Sequence, residues 1–534
     1  MARTTEREAR SGMSPPVWQA FLELRPTFAL AAAWLTTAGH TMNFREMDAA
    51  RGWVTAVGYS LHTIYLVAII LTLLTAPHLA RRIGGYWLVV GGMLSLLVGS
   101  AVNGLLLHAP GGVLEFGRVL AGIGSGLVIH EAPRLNPPHR RAHVAWAGIV
   151  LPAMGPVVLA YATYLYGWHS WEGGFLFEGV LAVFGLAMVL SISDPPFTER
   201  EPGRAGSWAY LPFVALGAIS AWYVMHWGQL HGWLESPDIA VALLIGVLAF
   251  NVALWTVWPY LDVAALRTGF PRIALVVYGG FVQYFNVSDM GVYGGLLVNF
   301  GPWMRSWLVW SLSVGAATAL AAGRIVWRGR SPGYGGATFG LLVLAAGMAL
   351  SHHRTLNWPF WSVLNTVEFN WFAAPQHWQL AAPRFLMGFG SGLLLLSMTA
   401  DSVRDLPSQA ALRPFLAVAQ FTGGALGIGA LVTILLVGHS FEYSYTSDRG
   451  YIQAAEQADR RQWLIDTLTT TGHGAAEQQS DSLLFRAVNY EADNLVFARI
   501  YGGFCASSLT LAAFCLAGWF VERRRWEEPR PNGP

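Results

Sequence analysis

The sequence predicts an all-α polytopic membrane protein of about 14 transmembrane helices, built from two related halves. Three observations predict it. The chain is 54% hydrophobic and only 12% charged, with a mean hydropathy of +0.42, whereas soluble domains carry about 25% charge. Its apolar stretches recur at the length a bilayer demands, about 20 residues. Finally, one short stretch occurs twice: Arg118-Val119-Leu120-Ala121-Gly122-Ile123-Gly124-Ser125-Gly126-Leu127 returns as Arg384-Phe385-Leu386-Met387-Gly388-Phe389-Gly390-Ser391-Gly392-Leu393.

Taken in order, the apolar segments fall near 28–44, 52–75, 85–108, 112–133, 142–166, 172–193, 207–227, 238–258, 273–300, 304–323, 336–353, 381–400, 413–438 and 497–521. The repeated stretch lies in the fourth and the twelfth. Its two arginines are 266 residues apart, while six short-looped spanning helices take roughly 190–200 residues. The excess accommodates two extra helices between two bundles of six. The expected organisation is a cytoplasmic N-terminus (1–27), an N-terminal six-helix bundle (28–193), two linker helices (194–272) and a C-terminal six-helix bundle (273–521), followed by a cytoplasmic tail (522–534). Within the second bundle, residues 439–496 form a large periplasmic loop with helix-like runs polar on one face.

Arginine placement orients the chain. Arg3, Arg7 and Arg10, Arg81 and Arg82, Arg140 and Arg141, Arg200 and Arg204, Arg267 and Arg272, Arg324, Arg328 and Arg330, Arg404 and Arg413, and Arg523 to Arg525 all fall on one side. Opposite, the short loops near 109–111, 167–171 and 228–237 carry none. The positive-inside rule puts both termini in the cytoplasm, as an even number of crossings requires. Residues 1–25 lack the apolar core of a signal peptide. The formal charge of +2 offers nothing to nucleic acid, and the two cysteines, Cys505 and Cys515, share one apolar segment, so no disulfide framework is expected.

Gly122 and Gly126, like Gly388 and Gly392, are four residues apart, which stacks them on one helix face and lets a neighbouring helix come close. An arginine inside such a helix is costly unless it faces a partner or a wet cavity. Paired membrane-embedded halves with buried charge are a transporter's build.

Further motifs sharpen this. The loop after the second helix reads Pro77-His78-Leu79-Ala80-Arg81-Arg82-Ile83-Gly84-Gly85, the fourth helix carries Arg118 ahead of Gly122, the fifth contains Gly155-Pro156, and the thirteenth opens Gln420-Phe421-Thr422-Gly423-Gly424. From about Trp53 to Val521 the chain resembles the major facilitator superfamily, and within it the fourteen-helix drug:proton antiporters of the EmrB/QacA type. The resemblance implies two bundles working by alternating access, export of hydrophobic or amphipathic compounds driven by the proton gradient, and no other cofactor. It also implies a bacterial inner-membrane location, a periplasmic membrane-fusion adaptor and an outer-membrane channel. The family's first-helix aspartate has no counterpart in Thr37-Ala38-Gly39-His40-Thr41-Met42-Asn43, and its two glycines after Gly-Pro are replaced by Val157-Val158-Leu159-Ala160.

Proton coupling needs a group that changes charge where two water phases alternate. The intramembrane acids are Glu115, Glu131, Glu178 and Asp289, joined by His40, His62, His130 and His226. The candidate coupling and substrate residues are Arg118, Asp289, Glu178, Glu115 and His62. Glu115 and Arg118 share a helix face at i,i+3 and are placed to pair, while Arg384, opening its helix, is placed to snorkel to the interface. Glu131, beside His130 and Arg134, reads as a helix-end charge at the cytoplasmic surface. Arg81 and Arg82 are topology determinants to which the resemblance adds gating, and Gly155-Pro156 is a kink or close-packing site. Trp358, Trp361, Trp371 and Trp378 mark a lipid–water boundary. Two other classes compete: a transporter-like protein without drug antiport, which takes up or exports a specific metabolite or is an uncoupled scaffold, and a membrane-embedded lipid enzyme, disfavoured by the lack of an H-x-x-x-H pair or aspartate-rich cluster.

Overall fold

The computed structural model describes residues 15–42, 47, 51, 55–106, 109–136, 147–159, 172–192, 209–228, 230–258, 263–296, 302–327, 332–356, 377–403, 413–452, 461–463, 465, 466, 469 and 476–527. Among these residues there is no strand. A bilayer cannot satisfy open backbone groups, so a spanning segment closes its hydrogen bonds within itself, as a helix does. The long helices are α1 (Pro15–Thr36), α2 (Thr55–Ile83), α3 (Gly85–Leu105), α4 (Gly111–Leu135), α5 (Ala147–Leu159), α6 (Glu172–Leu190), α7 (Leu211–Trp227) and α8 (Pro237–Val257). They continue as α9 (Val263–Leu296), α10 (Pro302–Val326), α11 (Gly333–Leu356), α12 (His377–Val403), α13 (Arg413–Ile452) and α14 (Ala476–Glu527). Among the described residues, 10 helices are long and apolar enough to cross a membrane.

The helices match the apolar segments in number and order, but several reach further. Here α1 starts at Pro15 and gives way to a 3-10 turn at Gly39–Met42, α9 starts at Val263, and α13 and α14 run to Ile452 and from Ala476. Hydropathy marks only the part of a helix that lipid surrounds, and its polar ends stay invisible to it. In the long segment between α13 and α14, Arg461 donates from Nε (2.6 Å) and Nη2 (3.2 Å) to Asp481. That guanidinium holds the Asp481 carboxyl below its usual range.

The glycine ladders organise both halves alike. Gly122 and Gly126 of α4 face α2, at Tyr65 and Thr72, while Gly124 faces α3 at Gly92 and Leu96. In the second half, Gly388 and Gly392 of α12 face α10, at Leu312 and Ala316, while Gly390 faces α11 at Gly340 and Leu344. In each position a Cβ would meet the neighbour, in several cases its backbone. Around these contacts α4 packs on α1, α2 and α3, and α12 on α9, α10 and α11; α6 packs on α3, and α14 on α11. The two bundles thus share one plan of six helices each, with α7 and α8 between them in the chain.

The extra pair sits at the periphery. Along α8, only Ile239, Gly246, Ala249 and Ala253 are buried, and Trp255 is 80% exposed, so most of its surface meets lipid. Its partner α7 leans on both halves: Trp222 Nε1 donates to the Ser60 carbonyl of α2 (3.0 Å), and Thr433 of α13 donates to the Met225 carbonyl (3.4 Å).

Between the bundles, α2 packs on α13, and the Trp34 and Phe421 rings stack with centroids 5.2 Å apart. Gln283 Nε2 donates to the Ile149 carbonyl of α5 (2.6 Å), and Gln420 Nε2 donates to the Gly148 carbonyl (3.1 Å) and to Gln283 Oε1 (3.3 Å). Tyr59 OH reaches the Ser288 carbonyl at 3.3 Å.

Candidate functional site

Each half buries one arginine, on the fourth helix of its bundle, just ahead of the glycine ladder. Arg118 is fully buried and Arg384 is 3% exposed. Both lie seven residues into their helices, about 10 Å from the helix start, and Asp289 lies at a matching distance from the end of α9. The two charge clusters stand at matching helix positions in the two halves.

In the first half, Arg118 Nη1 donates to Glu178 Oε2 at 2.9 Å and Oε1 at 3.3 Å, and His40 Nε2 lies 3.2 Å from Glu178 Oε2. Three elements meet here: the 3-10 turn after α1, α4 and α6. The guanidinium lies over the Tyr65 ring, Cζ 4.2 Å from its centroid, with Phe175 on another side at 5.6 Å. Phe175 also stacks on His40 at 4.0 Å. Tyr65 is itself held: its hydroxyl donates to Ser125 Oγ (2.7 Å) and lies 2.9 Å from Thr36 Oγ1. The serine inside the repeated motif thus fixes the ring on which the arginine rests. Arg118 Nε and Nη2 make no hydrogen bond with the described residues.

In the second half, Arg384 Nη1 donates to Asp289 Oδ1 (2.9 Å) and Oδ2 (3.0 Å), and Nη2 donates to Tyr501 OH (2.6 Å). Tyr501 OH donates in turn to Asp289 Oδ2 (2.7 Å), which closes a ring of hydrogen bonds. The Asn286 carbonyl accepts a further bond from Nη1 at 3.4 Å. The same three helix positions contribute in both halves. The first gives His40 or Asp289, the fourth Arg118 or Arg384, and the sixth Glu178 or Tyr501. The acid has changed helix: it stands on the sixth in one half and on the first in the other.

The sequence's candidates distribute as follows. Arg118 and Glu178 come together. Glu115 is half-buried in the first turns of α4 and is not the partner of Arg118, because the i,i+3 neighbour is outcompeted by a fully buried carboxylate from α6. Asp289 pairs with Arg384, which turns inward instead of snorkelling because that carboxylate offers it a buried partner. His62 is fully buried beside Tyr65, with ring centroids 5.8 Å apart, at the edge of the first cluster. His226 is buried in α7, on the peripheral pair. Sequence reasoning missed Tyr501 entirely and counted His40 among the available histidines without shortlisting it; the signal was available, since Glu178-Gly179 and Tyr501-Gly502 stand at matching places in the sixth helices.

At the opposite end, the proposed gating loop turns at Gly84, whose φ of 93° suits glycine. Gly85 packs against Glu131, where a Cβ would lie 2.6 Å from Oε2. Glu131 is 2% exposed and meets His130 at 3.3 Å and Arg134 at 3.5 Å. Arg81 and Arg82 lie in the last turn of α2, just before Gly84. Gly155 of α5 abuts the Leu35 carbonyl of α1, a close approach that a side chain would block, with Pro156 following in the same helix. The tryptophans near 358–371 fall outside the described residues, as do Arg140 and Arg141.

No family model matches this sequence, and no curated protein matches it either. Solved structures do match along nearly the whole chain. A bacterial homologue of the human drug peptide transporters PepT1 and PepT2 superposes with a TM-score of 0.57 at 12% identity, covering 94% of this chain and 98% of its own. A peptide transporter POT in complex with sulfate gives 0.55 at 14%, covering 93% and 94%. An auto-inhibited POT family peptide transporter gives 0.52 at 13%, covering 96% and 99%. These matches give no support to the narrower drug:proton antiporter branch. What they establish is architecture: this is a multi-pass membrane protein with the major facilitator-type fold.

Proposed function

We propose that the chain is a secondary active transporter that moves a small carboxylate-bearing solute, with short peptides the first class to test, across a bacterial inner membrane by alternating access coupled to protons. The observation that carries the proposal is the unequal satisfaction of the two arginines. Arg384 donates from both terminal nitrogens, to Asp289, Tyr501 and a carbonyl. Arg118 is held on one nitrogen and by the Tyr65 ring, with Nε and Nη2 unbonded. An arginine with two adjacent donors spare is shaped to take a carboxylate in a two-pronged grip.

Coupling follows from charge balance. Arg118 balances Glu178 while no solute is bound, with His40 as the second neighbour. A solute carboxylate gripped on the spare face of Arg118 makes one cation serve two buried carboxylates, and Glu178, sharing its counter-charge, takes up a proton. The cluster is then neutral overall, which lowers the cost of closing low-dielectric protein around it. The bundles rock, and release of solute and proton restores the pair. The matched structures, described as peptide transporters, support a solute of this chemistry over hydrophobic drugs. Drug export through an adaptor and an outer-membrane channel draws no support from them.

The test is uptake by the purified protein in proteoliposomes under an imposed pH gradient, offering short peptides, their C-terminal amides, and a hydrophobic fluorescent cation. The proposal expects accumulation of free-acid peptides and little of the amides. Transport of the cation alone would restore the export reading.

A further inference from the structure

A second site lies away from both charge clusters. Between α9, α13 and α14 a cavity of about 820 Å³ is walled by apolar side chains, among them Phe281, Ile434, Val437 and Phe504. That volume falls within the roughly 300–1,000 Å³ of small-molecule sites. The cavity opens outward, where Val437 is 45% and Phe441 60% exposed. Tyr278 lines it away from the mouth, its hydroxyl meeting Ser507 (2.9 Å) and Ser508 (2.7 Å). From Ser507 to Val496 it extends along α14 by about 16 Å at helical rise, the reach of a long acyl chain.

The mouth is charged. Glu442 lines it at 2% exposure, accepting from Arg499 Nη1 at 2.6 Å through Oε1, while Oε2 has no hydrogen-bond partner. Arg499 is 59% exposed and leans over the Phe441 ring at 5.7 Å. Both charges sit near the ends of the apolar spans Phe415–Ser444 and Ala492–Phe520, the depth at which lipid headgroups begin. A buried carboxylate oxygen left unpaired costs free energy unless a donor arrives.

We infer that this groove binds a phospholipid with a primary-amine headgroup: the acyl chain fills the apolar channel, the ammonium donates to Glu442 Oε2, and the phosphate lies on the exposed side of Arg499. A choline headgroup has no N–H to give, and a glycerol headgroup brings no cation to an anionic oxygen. Only the amine satisfies both charges at once.

The experiment is native mass spectrometry of the full-length protein in detergent, titrated with phosphatidylethanolamine, phosphatidylcholine and phosphatidylglycerol of identical chains. Wild type is expected to retain phosphatidylethanolamine about tenfold better than phosphatidylcholine, the ratio that one charge-assisted hydrogen bond supplies. Glu442→Gln should bring the two to parity. Arg499→Gln should weaken both alike. Gly503→Trp, at a lining glycine whose Cβ would meet nothing within 4 Å, should block all three lipids without disturbing the fold. Equal retention by wild type, a preference for phosphatidylglycerol, or a preference that survives both Glu442→Gln and Gly503→Trp would overturn the assignment. So would a groove that takes an amphiphilic detergent or solute and discriminates among no headgroups.

Discussion

Glu178 of α6 and Tyr501 of α14 stand at equivalent places in the two bundles, each followed by glycine and each hydrogen-bonded to the arginine of its own half. One is a carboxylate and the other a phenol. The missing negative charge of the second half is supplied by Asp289, at the position where the first half has His40. Each of the two clusters pairs one buried arginine with one buried acid, and the acid stands on different helices in the two halves. The absence of an acid from the first helix, which set the chain apart from the family it resembles, is therefore matched by an acid on the sixth.

Arg118→Lys should separate charge from shape. Lysine keeps a cation beside Glu178 but loses the planar stack on Tyr65 and the two-pronged donor face. The expectation is a protein that folds, with KM for a carboxylate solute raised about tenfold or more. Uptake kinetics in proteoliposomes against a circular-dichroism melt check it.

Asp289→Asn should act on stability. Arg384 is buried, and removing its counter-charge is expected to cost about 3–5 kcal/mol. The double variant Asp289→Leu with Arg384→Met should recover most of the loss, because no charge is then stranded. Thermal unfolding in detergent reads both, and equal destabilisation by single and double variants would contradict the pairing.

The frame can be tested by transplanting one cluster into the other half. His40→Asp with Glu178→Tyr rebuilds the second half's arrangement around Arg118. It should leave the fold intact and abolish dependence on the pH gradient, since the arginine would then donate from both terminal nitrogens as Arg384 does. Unchanged proton-driven accumulation by this variant would sink the distinction between the clusters.

Gly122→Ala and Gly91→Ala form a matched pair. At Gly122 a methyl would meet the Tyr65 backbone, whereas at Gly91 it would meet nothing within 4 Å. The first should destabilise by about 1–3 kcal/mol through overpacking, and the second should be neutral or stabilising by up to about 1 kcal/mol. Melting temperatures in one detergent decide it.

Much of the frame was legible in the sequence because its determinants are local. Helix number follows from apolar length, and the glycine ladder is written out twice. The arginines were found, as were Glu178 and Asp289, but not which acid serves which arginine. Spacing along one helix suggested Glu115 for Arg118, and nothing in one dimension reveals that α6 delivers a better-buried carboxylate to the same place. Tyr501 escaped because a tyrosine in an apolar helix looks like packing until its hydroxyl is seen between two charges. The clasp of Gln283 and Gln420 on the α5 carbonyls was hidden for the same reason: Gln420 is distinguished only by what faces it from the other half.

The most direct measurement concerns Glu178. In proteoliposomes, Glu178→Gln should exchange labelled solute across the membrane with no gradient, at a rate near that of wild type, and should fail to concentrate it when a pH gradient is imposed. A Glu178→Gln protein that still accumulates solute against its gradient would show that the proton travels elsewhere.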